Sequence, residues 1–229
     1  NPNLEHLDAM NRLDSIGGNL ILHDSIQIGK INFLDKLNKV DGHLWIEDTN
    51  LDNIDFLGSV SSVGKSIFIQ NNKHLKNADG LKKIAHVGNP TFLINNNAAL
   101  ENLDVIGSIA HNFRTIEIDD NPALSRMDGN ERPVKFSGNL IITNNQSLHS
   151  ISWMQEIDHI WGGLDIRKSA IENLDDLQNL KFIGGNLTIL NNTNLTNAEG
   201  LRNLRQIGGK VLFRNNRNLD FETVGPYTG

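Results

Sequence analysis

An apolar residue, any residue, a second apolar residue, two more residues and then asparagine: this pattern, or a close variant, recurs nine times along the chain. Its first apolar positions are Leu20, Leu44, Ile67, Phe92, Ile116, Leu140, Leu164, Leu187 and Val211, at intervals of 24, 23, 25, 24, 24, 24, 23 and 24 residues. Such regularity predicts stacked coils, each burying its apolar face against its neighbours, rather than a fold around one central core. The fold class that follows is mainly β, a parallel β-solenoid of about nine coils.

Residues 184–207 show one coil in full. Leu187 and Ile189 alternate with Thr188, as in a short half-buried strand. Asn191 and Asn192 break the strand. Leu195, Ala198, Leu201, Leu204 and Ile207 then follow at steps of three, which predicts tight or 3₁₀-like turns with one inward residue per step. Gly208 and Gly209 close the coil.

Most coils place an apolar residue eight positions after the strand's first, at Ile28, Leu75, Leu100, Leu124, Leu148, Leu195 and Leu219. Leu51 and Ile171 come seven positions on, in the two coils that precede a 23-residue interval. The long coil predicts a bulge near Gly88-Asn89-Pro90, and Arg126 to Pro133 predicts a polar protruding loop. Five positions after each strand start stand Ser25, Thr49, Asn72, Asn97, Asn121, Asn145, Ser169, Asn192 and Asn216. Their side chains suit an inward ladder, because an amide both donates and accepts to backbone groups that a turn leaves unpaired.

Residues 3–18 form the back half of a coil with no strand of its own, and the chain begins at Asn1-Pro2 without Met. Both features predict a processed protein or a fragment of a larger one, with residues 1–229 forming one solenoid. The net charge of −6 argues against a nucleic-acid footprint. No apolar run reaches the roughly 18 residues of a membrane span. The absence of cysteine removes disulfides, thiol catalysis and Cys-zinc sites.

Ile16-Gly17-Gly18-Asn19-Leu20, residues 182–189 and residues 194–201 resemble the receptor L-domain repeat. That repeat builds the leucine-rich, right-handed parallel solenoid of insulin-receptor and EGF-receptor ectodomains, and it is used widely in microbial surface proteins. The resemblance spans residues 3–219. It implies an extracellular or cell-surface, non-enzymatic recognition or adhesion module that binds a protein or glycan partner. The receptor versions are usually capped by disulfides, which this chain lacks.

Regular alternation puts Ile21, Trp45, Phe68, Leu93, Glu117, Ile141, Asp165, Thr188 and Leu212 in one outward column. Six of these nine are apolar on a face expected to be wet, which marks an interaction surface. Its candidate ligand-binding residues are Ile21, Trp45, Phe68, Leu93, Glu117, Ile141 and Asp165, with Trp45 and Phe68 as anchors. A parallel column, from His23 and Glu47 to Arg167 and Arg214, supplies polar edges. Packing against a second copy or a neighbouring domain would use the same face.

Glu117, Asp119 and Asp165 are the best acidic candidates for a β-helix carbohydrate-active enzyme, since Glu117 and Asp165 would lie about 9–10 Å apart across two strand spacings. Ile141 intervenes and no cleft is indicated, so a solvated patch is the plainer account and catalytic residues are assigned to none. The histidines show no metal-ligand spacing; His23 beside Glu47 reads as a surface ion pair. No motif calls for a cofactor, because the Gly pairs recur with the coil. Of four glycosylation sequons, Asn186 and Asn194 are the acceptors expected in a eukaryotic source, since Asn145 and Asn191 fall at or beside the ladder. Thr91, Thr115, Thr143 and Thr188 are not expected to share a column, which argues against ice binding. The sequence thus points to recognition through the sheet face, with a structural or spacer segment as the alternative.

Overall fold

The computed structural model describes residues 10–24, 34–88, 91–110, 113–129 and 135–227. Nine strands pair in chain order into one parallel sheet: Leu20–His23, Leu44–Glu47, Ile67–Gln70, Thr91–Asn95, Thr115–Asp119, Asn139–Thr143, Leu164–Arg167, Leu187–Leu190 and Val211–Arg214. The register is residue for residue, so each first apolar position faces its equivalent in the next coil. Nine strands bound eight complete turns, one fewer than the number of motif copies. At about 4.8 Å per strand spacing the stack is about 40 Å long.

Two smaller parallel sheets form a second side. One joins Ser15–Ile16, Lys39–Val40, Ser62–Val63 and His86–Val87; the other joins His159–Ile160, Phe182–Ile183 and Gln206–Ile207. The three-residue steps become 3₁₀ turns at Asp55–Leu57, Asp79–Leu81, Ser152–Met154, Asp175–Leu177 and Glu199–Leu201. Asn53, Asn77, Asn173 and Asn197 each lie two residues before such a turn and accept its first backbone N–H. A single α-turn at Ile106–Ile109 replaces the 3₁₀ turn in its coil. Gly200 is a packing glycine: a Cβ there would come within 1.7 Å of the Leu174 carbonyl oxygen one coil away.

The core is a continuous stack of Leu, Ile, Val and Phe, from Leu20 to Val224. Each strand is followed by one residue in the left-handed region, at Asp24, Asp48, Asn71, Asn96, Asp120, Asn144, Lys168, Asn191 and Asn215, with φ between 51° and 61°. In the eight coils where the next residue is described, from Thr49 to Asn216, it turns inward. Asn72, Asn97, Asn121 and Asn145 are fully buried. Asn121 Nδ2 donates to the carbonyls of Ile94 and Asp119, while its Oδ1 accepts the backbone N–H of Asn97 at 3.0 Å. Equivalent bonds run from Thr49 to Asn145 and from Ser169 to Asn216.

The coil lengths have a structural cause. Where the inward residue is Asn, its carbonyl accepts the N–H of the leucine three residues on, closing a small turn at Leu75, Leu100, Leu124, Leu148, Leu195 and Leu219. Thr49 and Ser169 carry no such turn, and Leu51 and Ile171 reach the core one residue sooner.

The expected loop from Arg126 is corrected over its first half. Met127 is fully buried, and Arg126 bridges in parallel register to both Asn102 and Ser150. Met127 fills the inward place that Leu103 and Ile151 hold in the adjacent coils, which periodicity in Leu alone concealed. Residues 130–134 lie outside the described residues, as do Asn89-Pro90 of the expected bulge, Ser25 and Ile28.

Candidate functional site

The outward column is unbroken. Ile21, Trp45, Phe68, Leu93, Glu117, Ile141, Asp165, Thr188 and Leu212 are successive register partners across the nine strands. It is less wet than alternation suggests. Ile21 and Leu212, at the two ends, are 52% and 44% exposed, whereas the residues between them are half-buried. Each interior side chain has a neighbour about 4.8 Å away on both sides, and the end residues have one.

Trp45 and Phe68 pack with ring centroids 5.2 Å apart, and His43 joins them 5.5 Å from Phe68. The Nε1 of Trp45 and the Nδ1 of His43 are buried and make no hydrogen bond. Nothing in the repeat pattern singles out His43, which stands just before the strand Leu44–Glu47. Its backbone N–H is fixed by Asn19 Oδ1 at 2.8 Å, and this brings the ring onto the aromatic pair.

Two of the three acidic candidates, Asp165 and Asp119, are engaged. Arg167 grips Asp165 through Nε at 2.6 Å and Nη2 at 2.5 Å, and the carboxylate raises the already high pKa of the guanidinium. Asp119 accepts from the Thr143 hydroxyl and from Asn144 Nδ2 and Asn95 Nδ2. Glu117 and Asp165 remain two register steps apart with Ile141 between them. At the first coil, His23 Nδ1 lies 3.0 Å from Asp24, and Nε2 lies 3.8 Å from both Glu47 and Asp48. His23, Glu47 and Asp48 are the one His-carboxylate trio among the described residues whose ligand atoms all fall within 4.8 Å.

Asn186 and Asn194 are exposed, while Asn145 is fully buried. One detail of the threonines is corrected: Thr91 and Thr115 are register partners, because both precede their strands' first inward residue. Thr143 and Thr188 lie in other columns.

A second aromatic group lies at the corner between the strands His159–Ile160 and Leu164–Arg167. Trp161 is 57% exposed, with His159 5.8 Å and Phe182 5.1 Å from it between ring centroids. His159 Nδ1 is 2.8 Å from Asp158 Oδ1, and this contact holds the Asp158 carboxyl below its ordinary pKa. The signal in the sequence was substitution: Trp161 stands at the corner that Gly64, Gly184 and Gly208 occupy in other coils.

This geometry defines the class as a leucine-rich-repeat-like parallel β-solenoid with an open sheet face. Within it, residues 132–224 match the family model of the receptor L domain. Residues 182–189 and 194–201 fall within that match, whereas Ile16 to Leu20 fall outside it, in coils of the same geometry. No curated protein matches the chain.

Proposed function

We propose that this chain is an extracellular recognition module that captures a protein partner on its parallel sheet face, without catalysis. Receptor L domains are ligand-binding modules of receptor ectodomains, and residues 132–224 carry that family's sequence. The observation that carries the proposal is the cluster of His43, Trp45 and Phe68. It sets three packed, half-buried rings side by side on the outer face. Further burial of those half-buried rings by a bound chain contributes about 25 cal/mol per Å² of apolar surface covered. The apolar column through Ile21 and Leu93 extends the patch, and Glu117 and Asp165 set polar limits to it. No helix among the described residues is long and apolar enough to cross a membrane.

The test identifies the partner by crosslinking from the native surface and then measures its affinity in purified form. Trp45→Ala with Phe68→Ala is expected to weaken capture at least tenfold, as loss of aromatic anchors does. The same variant loses some stability because both rings are half-buried, so Ile21→Glu, at an exposed position, serves as the stability-neutral companion. Unchanged affinity in both variants would mean that the face is a spacer surface or a packing face.

A further inference from the structure

Towards its C-terminal end the same sheet carries a depression of about 310 Å³ across the strands Asn139–Thr143, Leu164–Arg167 and Leu187–Leu190. This lies at the lower end of small-ligand sites. Its chemistry comes from Asn139, Ile141, Asp165, Arg167, Asn186 and Thr188. Asp165 and Arg167 cancel each other's charge through their two-point contact. Asn139 Oδ1 accepts the Gly163 backbone N–H and Asn186 Oδ1 accepts that of Lys210, each at 2.8 Å. Those bonds fix both amides by their oxygens. Neither Nδ2 bonds to another described residue, so each keeps two donors for a ligand. Asp165 keeps acceptor lone pairs beyond those Arg167 uses, and Thr188 adds a hydroxyl that donates or accepts.

Trp161 precedes Gly163, a lining residue, by two positions, which limits the backbone separation to about 7 Å. Its indole is the most exposed of the large apolar side chains described, and it is backed by the His159 and Phe182 rings. The surroundings select a ligand by charge and polarity. An anion would meet Asp165, a cation would meet Arg167, and an apolar group would strand the amide donors. A ligand that both donates and accepts, carries no charge and has a C–H face to lay on an indole satisfies all of them. Those are the properties of a sugar.

We propose that this depression, with Trp161 at its edge, binds a neutral oligosaccharide. The site shares Ile141 and Asp165 with the protein-binding face but does not require that a protein bind there. The test titrates the whole chain separately with cello-, chito-, manno- and laminarihexaose by calorimetry. Acrylamide quenching is followed in parallel. Trp153 is buried and Trp45 half-buried, so Trp161 is the accessible fluorophore.

One hexaose class is expected to bind and to shield Trp161 from quencher. Trp161→Ala and Asp165→Asn are each expected to weaken it at least tenfold, about 1.4 kcal/mol. The exposed Trp161→Ala substitution should leave the thermal midpoint unchanged, and it decides the matter alone if Asp165→Asn lowers that midpoint. Trp45→Ala with Phe68→Ala should leave sugar affinity intact, which separates this site from the protein-binding one. Absence of binding by all four hexaoses, or binding that survives Trp161→Ala, overturns the proposal.

Discussion

The inward asparagines show how one side chain answers several backbone groups at once. Asn121 donates to two carbonyls and to Asn145 Oδ1, and it accepts from Asn97. Truncation to alanine strands these groups where no water reaches. Asn121→Ala is expected to cost about 3 kcal/mol in urea denaturation, against about 0.5 kcal/mol or less for the exposed Gln146→Ala. Equal effects would show that the buried amide contributes no more than a surface residue. The residue types at these corners were legible in the sequence because they recur at fixed offset. The unsatisfied ring nitrogens of His43 and Trp45 were not legible, since which atoms lack partners depends on packing across coils.

At the scale of the element, the corner after each strand repeats one backbone conformation nine times. Eight of the nine residues there are Asn or Asp, which tolerate the left-handed region because their short polar side chains bond locally. Lys168 is the exception, with φ of 51°. Lys168→Asn is expected to stabilise the chain by about 1 kcal/mol through relief of that strain, measured as a shift in the urea midpoint. No shift would mean that the corner imposes no penalty on lysine. The strands and three-residue steps were readable from apolar spacing alone. The 23-residue coils were readable as shorter but not explained, because their cause is a turn that forms on an asparagine carbonyl and is absent at Thr49 and Ser169. The opening of the expected polar loop was misjudged because Met127 takes there the inward place that Leu103 and Ile151 hold in the adjacent coils.

Across the whole molecule, each coil contacts chiefly its neighbours, so stability is a sum of coil and interface terms that weakens towards an open end. Val211 and Phe213, in the last strand, are only partly buried, whereas Ile116 and Ile118 in the middle strand are fully buried. Amide hydrogen exchange is therefore expected to be at least tenfold faster along Val211–Arg214 than along Thr115–Asp119. Uniform protection would point to a single cooperative unit instead. The same end effect explains why Ile21 and Leu212 are the exposed members of the outward column while Trp45, Phe68 and Leu93 shield one another.

The repeat period by itself determined the coil, the parallel register and the column in which Ile21, Trp45 and Phe68 fall, because these follow from local alternation multiplied by a fixed step. Tertiary structure alone decided how much of that column water sees, which polar atoms lack partners, and that Asp165 is held by Arg167 beside the amides of Asn139 and Asn186. Those are properties of side chains one or two coils apart, some 24 or 48 residues distant in the chain. Their exposure and pairing are set by how the coils stack and not by any residue's own neighbours in sequence.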